Sequence, residues 1–244
     1  MHPILFSFFR IHIYSYGLMV ALGIVLAVYL IERDAIKNNL PKDAIVDLIF
    51  WVIIWGLVGA RLFYVLLYPD VYLHSPQDIL KIYQGGLVFH GSLIFGSIAA
   101  FINFKAKKLP VLKTLDLLML YLPLAHAFGR IGCFFNGCCY GKVTDLAWGI
   151  IFPGQIQAVH PTQLYSAFLL LILFWGLFLV RQKQVFAGQI FCLYLIFYGL
   201  IRFFIEFVRD NPIFAWGMSI YQYISLILIC AGIFGYIRLK KAKQ

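Results

Sequence analysis

The run VDLIFWVIIWGLVGARLFYVLL, residues 46–67, decides the fold. It carries charge only at Asp47 and Arg61, and as a helix rising about 1.5 Å per residue it would cross the ~30 Å hydrocarbon layer of a bilayer. Comparable apolar runs fall at 15–31, 87–104, 114–129, 163–180, 189–207 and 218–237. Seven spans are therefore expected. The fourth is the shortest, holds Pro123 and His126, and leads straight into a Gly- and Cys-rich stretch, so a shallow or broken helix is one expectation there.

Composition agrees with the runs. Of the 244 residues 63% are hydrophobic and 12% charged, against about half and a quarter in soluble domains. The expectation is an all-α membrane protein, a bundle of seven transmembrane helices forming a single integral membrane domain over residues 1–244, with a small extracytoplasmic region from the 68–86 and 130–162 loops. Its N-terminal stretch has neither the basic start nor the small-residue cleavage site of a secretory signal, so the first span is expected to stay attached.

Lys and Arg set the orientation, because cytoplasmic loops are enriched in both. Arg33, Lys37 and Lys42 follow the first run and Lys105, Lys107, Lys108 and Lys113 the third; Arg181 and Lys183 follow the fifth, and Arg238, Lys240, Lys241 and Lys243 the seventh. These alternate ends hold 13 of the 20 basic residues, which places the N-terminus outside and the C-terminus in the cytoplasm. The formal charge of +10 is thus mostly topological and attracts anionic lipid headgroups; no nucleic-acid partner is expected.

Ionisable residues at membrane depth are costly and mark function or a polar cavity by default. Tyr198, Arg202 and Glu206 recur every four residues and share one helix face. Arg61 lies near Gly56 and Ala60, whose spacing suits a close helix crossing; a helix-helix ion pair and a lipid-phosphate contact both remain open for it. His90 sits among glycines in GGLVFHGSLIFG (85–96), and neutral imidazole can accept a proton. In GRIGCFFNGCCYGK (129–142), Arg130 beside glycine-freed backbone amides suits a phosphate, since guanidinium forks two hydrogen bonds to oxygen anions. HPTQLYSA (160–167) opens the fifth span, with His160 a boundary residue ahead of Pro161.

Taken in order, SYGL (15–18), GARLFYVLLY (59–68), GGLVFHGSLIFG (85–96), GRIGCFFNG (129–137), HPTQLY (160–165) and YGLIRFFIEFVR (198–209) resemble bacterial prolipoprotein diacylglyceryl transferases. The resemblance implies a multi-pass protein of the bacterial cytoplasmic (inner) membrane. It implies transfer of the diacylglyceryl group of phosphatidylglycerol to the lipobox cysteine thiol at the signal peptide of a preprolipoprotein, giving a thioether and glycerol phosphate. Its partners are then phosphatidylglycerol, that lipobox signal peptide and membrane lipids; no cofactor and no metal are implied. The catalytic set carried over is His90, Arg130 and Arg202, with substrate contacts at Tyr16, Arg61, Arg130, Asn136, Gly137, Gly141, Tyr198 and Glu206. Cys133 and Cys138 stand where members commonly have Asn and an acidic residue. The rival reading is a membrane metal-binding or thiol-redox protein using Cys133, Cys138, Cys139 and a nearby histidine, against which adjacent Cys138 and Cys139 seldom both ligate one ion.

Overall fold

The computed structural model describes residues 4–8, 11–73, 76–81 and 85–243. A short antiparallel hairpin, β1 (Ile4–Phe8) and β2 (Ile11–Tyr14), leads into α1 (Ser15–Lys37). Then come α2 (Lys42–Leu67), the short α3 (Pro69–Leu73), a 3₁₀ turn (Pro76–Leu80), α4 (Phe89–Ala106) and α5 (Val111–Asn136). The chain closes with α6 (Thr162–Arg181), α7 (Gln189–Glu206), the small β3 (Ile213–Ala215) and β4 (Met218–Ser219) pair, and α8 (Ile220–Lys241).

By length and composition, six helices can cross a membrane: α1, α2, α5, α6, α7 and α8. The 18-residue α4 is not among them; His90, Asn103 and Lys105 dilute its apolar character. The fourth expected span is neither shallow nor broken. α5 runs unbroken for 26 residues, through Pro123 and past Gly129 and Gly132. Gly132 does not end the helix because its bare face receives α1: a Cβ there would lie 3.1 Å from Met19 Cβ and 3.2 Å from Tyr16 Cα.

The described residues form two compact units, one of residues 32–114 and one of residues 1–31 and 115–244. In the first, α2 and α4 meet backbone to backbone. A Cβ on Gly59 would lie 2.4 Å from the Gly91 carbonyl oxygen, and one on Gly91 would lie 2.1 Å from that of Gly59. Small residues at such a crossing supply the dispersion contacts that hold helices together where lipid offers no hydrophobic drive.

In the second unit, Ala127, Ala167 and Leu170 join α5 to α6, with Ile131 and Tyr198 packed against them. Asp116, fully buried on α5, caps the start of α7. Its Oδ2 accepts from the Gly188 amide (2.6 Å) and Gln184 Nε2 (2.6 Å), and its Oδ1 from the Phe191 amide (2.9 Å). A carboxylate there satisfies amides that the first turn of a helix leaves unpaired.

Candidate functional site

Within the larger unit, α5, α6 and α7 line a small, partly open cleft. Arg130 and His126 enter it from α5, Ser166 and Leu170 from α6, and Tyr198 and Arg202 from α7. The α7 stripe read from the sequence thus faces Arg130. Arg202 Nη2 pairs with Glu206 Oε2 at 3.0 Å, and its guanidinium carbon lies 4.9 Å over the Tyr221 ring. Glu206 is itself held: its Oε1 accepts from Ser219 Oγ (2.7 Å) and Asn211 Nδ2 (2.6 Å). Two guanidinium groups at one cleft against one carboxylate leave a net positive charge at membrane depth, where an anion is the natural complement.

Arg130 Nε donates to His126 Nε2 at 3.2 Å. That nitrogen must carry a lone pair, so His126 is neutral with its proton on Nδ1. The bond fixes the Arg130 side chain and leaves its two Nη groups without a protein acceptor among the described residues. Tyr198 lies 5.7 Å from the His126 ring and stacks on Tyr194 at 5.3 Å. The i,i+4 spacing of His126 and Arg130 was visible in the sequence; their hydrogen bond was not assigned there.

Asn136 and Gly137 belong to the exit of α5. The Gly137 amide bonds the Phe134 carbonyl (3.1 Å) and the Cys138 amide bonds the Cys133 carbonyl (3.1 Å), with Gly137 left-handed at φ 71°. This pair of bonds is a Schellman stop, which brings the side chain after the glycine back over the last turn. Cys133 and Cys138 therefore meet, and Cys139, left-handed at φ 66°, turns back to join them. The three sulfurs lie within 4.8 Å of one another. All five cysteines are free thiols. Hydrogen bonding from Cys133 and Cys138, with the charges of Arg209 and Arg130, holds the Cys139 thiol well below its usual range. Tyr16, half-exposed on α1, is electrostatically coupled to the same three cysteines and to Arg130.

At Gly141 two backbones cross. Its amide bonds the His160 carbonyl (2.9 Å), and a Cβ there would lie 2.2 Å from the Val208 carbonyl oxygen and 2.7 Å from Thr162 Cγ2. His160 Nδ1 lies 3.3 Å from the Tyr165 hydroxyl, which also accepts from Trp148 Nε1 at 2.8 Å.

In the other unit, Arg61 is 6% exposed and donates four hydrogen bonds to backbone carbonyls. Nε reaches Ile79 (2.8 Å), Nη1 reaches Gly85 (2.8 Å) and Gly86 (3.1 Å), and Nη2 reaches Asp78 (2.6 Å). Among the described residues, four of its five N–H groups thus have carbonyl acceptors. The Val88 amide bonds the Ala60 carbonyl at 3.0 Å, so Arg61 and its helix together fix the segment that enters α4. His90 stands exposed in the first turn of that helix.

Comparison with known proteins gives one consistent answer. A family model described as prolipoprotein diacylglyceryl transferase matches residues 3–238. A phosphatidylglycerol–prolipoprotein diacylglyceryl transferase of Clostridium tetani is 40% identical over 241 residues, covering 96% of each chain. Proteins of the same name from Finegoldia magna, 36% identical over 99% of this chain and 97% of theirs, and Clostridioides difficile, 34% identical over 100% and 98%, match end to end.

Proposed function

The chain belongs to the prolipoprotein diacylglyceryl transferase family, and from that premise we propose how its residues carry the transfer. It moves the diacylglyceryl group of phosphatidylglycerol to a prolipoprotein. A separate metal-binding or thiol-redox protein is not favoured, because the family match takes in nearly the whole chain.

The observation that carries the reading is the cleft lined by Arg130 from α5 and Arg202 from α7, with the one nearby carboxylate, Glu206, paired to Arg202. Phosphatidylglycerol presents a single phosphodiester anion beside its glyceryl carbon. Arg130, oriented by His126, offers its free Nη pair to the phosphate as a two-pronged donor, and Arg202 stabilises the charge that builds on the departing ester oxygen. Glu206 and Tyr198 hold Arg202 and the cleft wall in place, and Tyr16 contacts the substrate from α1. His90 takes the proton of the acceptor thiol, which at a pKa near 8.5 is mostly un-ionised at neutral pH. The lipobox cysteine sulfur then attacks the glyceryl carbon, forming a thioether as glycerol phosphate leaves. Asn136, Gly137 and Gly141 shape the backbone of the site. Arg61 acts through the segment it organises ahead of His90.

The setting is the bacterial cytoplasmic membrane, with α4 as the seventh span, the N-terminus outside and the C-terminus inside. The whole chain then forms one integral membrane domain, with the 68–86 and 130–162 segments on the outer face among membrane lipids. Headgroup-labelled phosphatidylglycerol tests this reading. Purified protein is expected to release labelled glycerol phosphate when given a lipobox peptide, and none when the peptide's cysteine is replaced by serine. Equal release with either peptide would mean hydrolysis, not transfer.

A further inference from the structure

Three thiols converge at the exit of α5, and the fold holds them there. Gln163 Nε2 donates to the Cys138 carbonyl (2.6 Å) and Thr162 Oγ1 to the Cys139 carbonyl (2.8 Å), and both of these α6 side chains are buried. The Schellman stop fixes Cys133 against Cys138, and the left-handed backbone at Cys139 defeats the divergence expected of adjacent side chains. With Zn–S bonds of about 2.3 Å, tetrahedral ligands sit about 3.8 Å apart. Sulfurs already within 4.8 Å need to close by about 1 Å at most, which side-chain rotation supplies. Three thiolates on a divalent ion leave one negative charge, and Arg130, three residues before Cys133 on α5, supplies a cation on the same helix face. Cys139 is exposed, so one side of the cluster stays open.

We propose that Cys133, Cys138 and Cys139 bind a zinc ion with three thiolates and an open fourth position, and that this position receives the acceptor cysteine of the lipoprotein substrate. The inference rests on the transferase reading above and adds a role for a motif that reading leaves aside. Zinc with three protein ligands and one exchangeable position is the catalytic arrangement, and a thiol that coordinates is deprotonated. The acceptor thiol displaces water from zinc and releases its proton to solvent, because a coordinated thiol ionises readily near neutral pH. Its sulfur lone pair forms the C–S bond as the C–O bond to phosphate breaks, and that electron pair leaves with glycerol phosphate. The thioether product is a poor ligand and is released to water. A free thiol is only about 3% ionised at pH 7, so holding it as thiolate gains up to ~30-fold.

The test uses the full-length protein, purified under reducing conditions and loaded with zinc or cobalt(II). About one zinc per chain is expected in the wild type and in Cys192→Ser, and under ~0.2 in Cys133→Ser and Cys139→Ser. The cobalt protein should show sulfur-to-metal absorption that rises further with a cysteine lipobox peptide and not with the serine peptide. Stripping zinc from the wild type with a chelator should slow transfer ~10- to 30-fold, with return on adding zinc back. Full transfer by protein shown to be metal-free overturns the proposal, as does a cobalt spectrum indifferent to the cysteine peptide. If the cobalt spectrum responds while zinc-loaded protein transfers nothing, the zinc site stands and the transferase reading fails.

Discussion

His90 and Arg61 share one compact unit and show how far a residue's type foretells its use. Both looked out of place in lipid, and both readings of Arg61 left it either paired or on a phosphate. Among the described residues its partners are backbone: four of its N–H groups end on the carbonyls of Asp78, Ile79, Gly85 and Gly86. Those acceptors lie 17 to 25 residues away, so no local pattern could name them. His90, by contrast, is exposed, which leaves its imidazole open to the proton-accepting role proposed for it. His90→Gln keeps a hydrogen-bonding side chain but has no basic nitrogen at neutral pH. Turnover should fall ~100-fold with phosphatidylglycerol binding nearly unchanged, measured by rate and lipid titration on the same preparation. Full activity at pH 7 would show that His90 is structural.

At the scale of elements, the α7 stripe and the Arg130 turn were legible because i,i+4 spacing puts residues on one helix face whatever surrounds them. The exit of α5 was not. Gly129 and Gly132 read as an ending, yet the helix continues to Asn136, because α1 packs into the space those glycines leave. Asp116 has no local signature, because its partners Gln184, Gly188 and Phe191 lie about 70 residues on. Asp116→Ala leaves the Gly188 and Phe191 amides at the start of α7 without their acceptor. A loss of about 2–3 kcal/mol is expected, read as a lower thermal unfolding midpoint in detergent. An unchanged midpoint would show that water replaces the carboxylate at no cost.

For the molecule as a whole, composition alone identified the solvent, and Lys and Arg supplied an orientation that a reporter assay can read. A fluorescent protein fused after Gln244 should glow in the cytoplasm, and alkaline phosphatase at the same point should stay inactive; the reverse would invert the proposed topology. The six motifs in order pointed to the family that residues 3–238 match. What sequence could not supply was which side chains share a cleft, because Arg130 and Arg202 are brought together by packing between helices far apart in the chain. Their joint grip on phosphate is the centre of the account, and mass spectrometry of a lipobox peptide incubated with phosphatidylglycerol tests it most directly. Wild-type protein should add one diacylglyceryl group as a thioether. Arg130→Lys and Arg202→Lys, shown to be folded, should each yield under ~1% of that product, since an ammonium cannot reproduce the planar two-pronged contact. Near-normal product from both lysine variants would contradict the account.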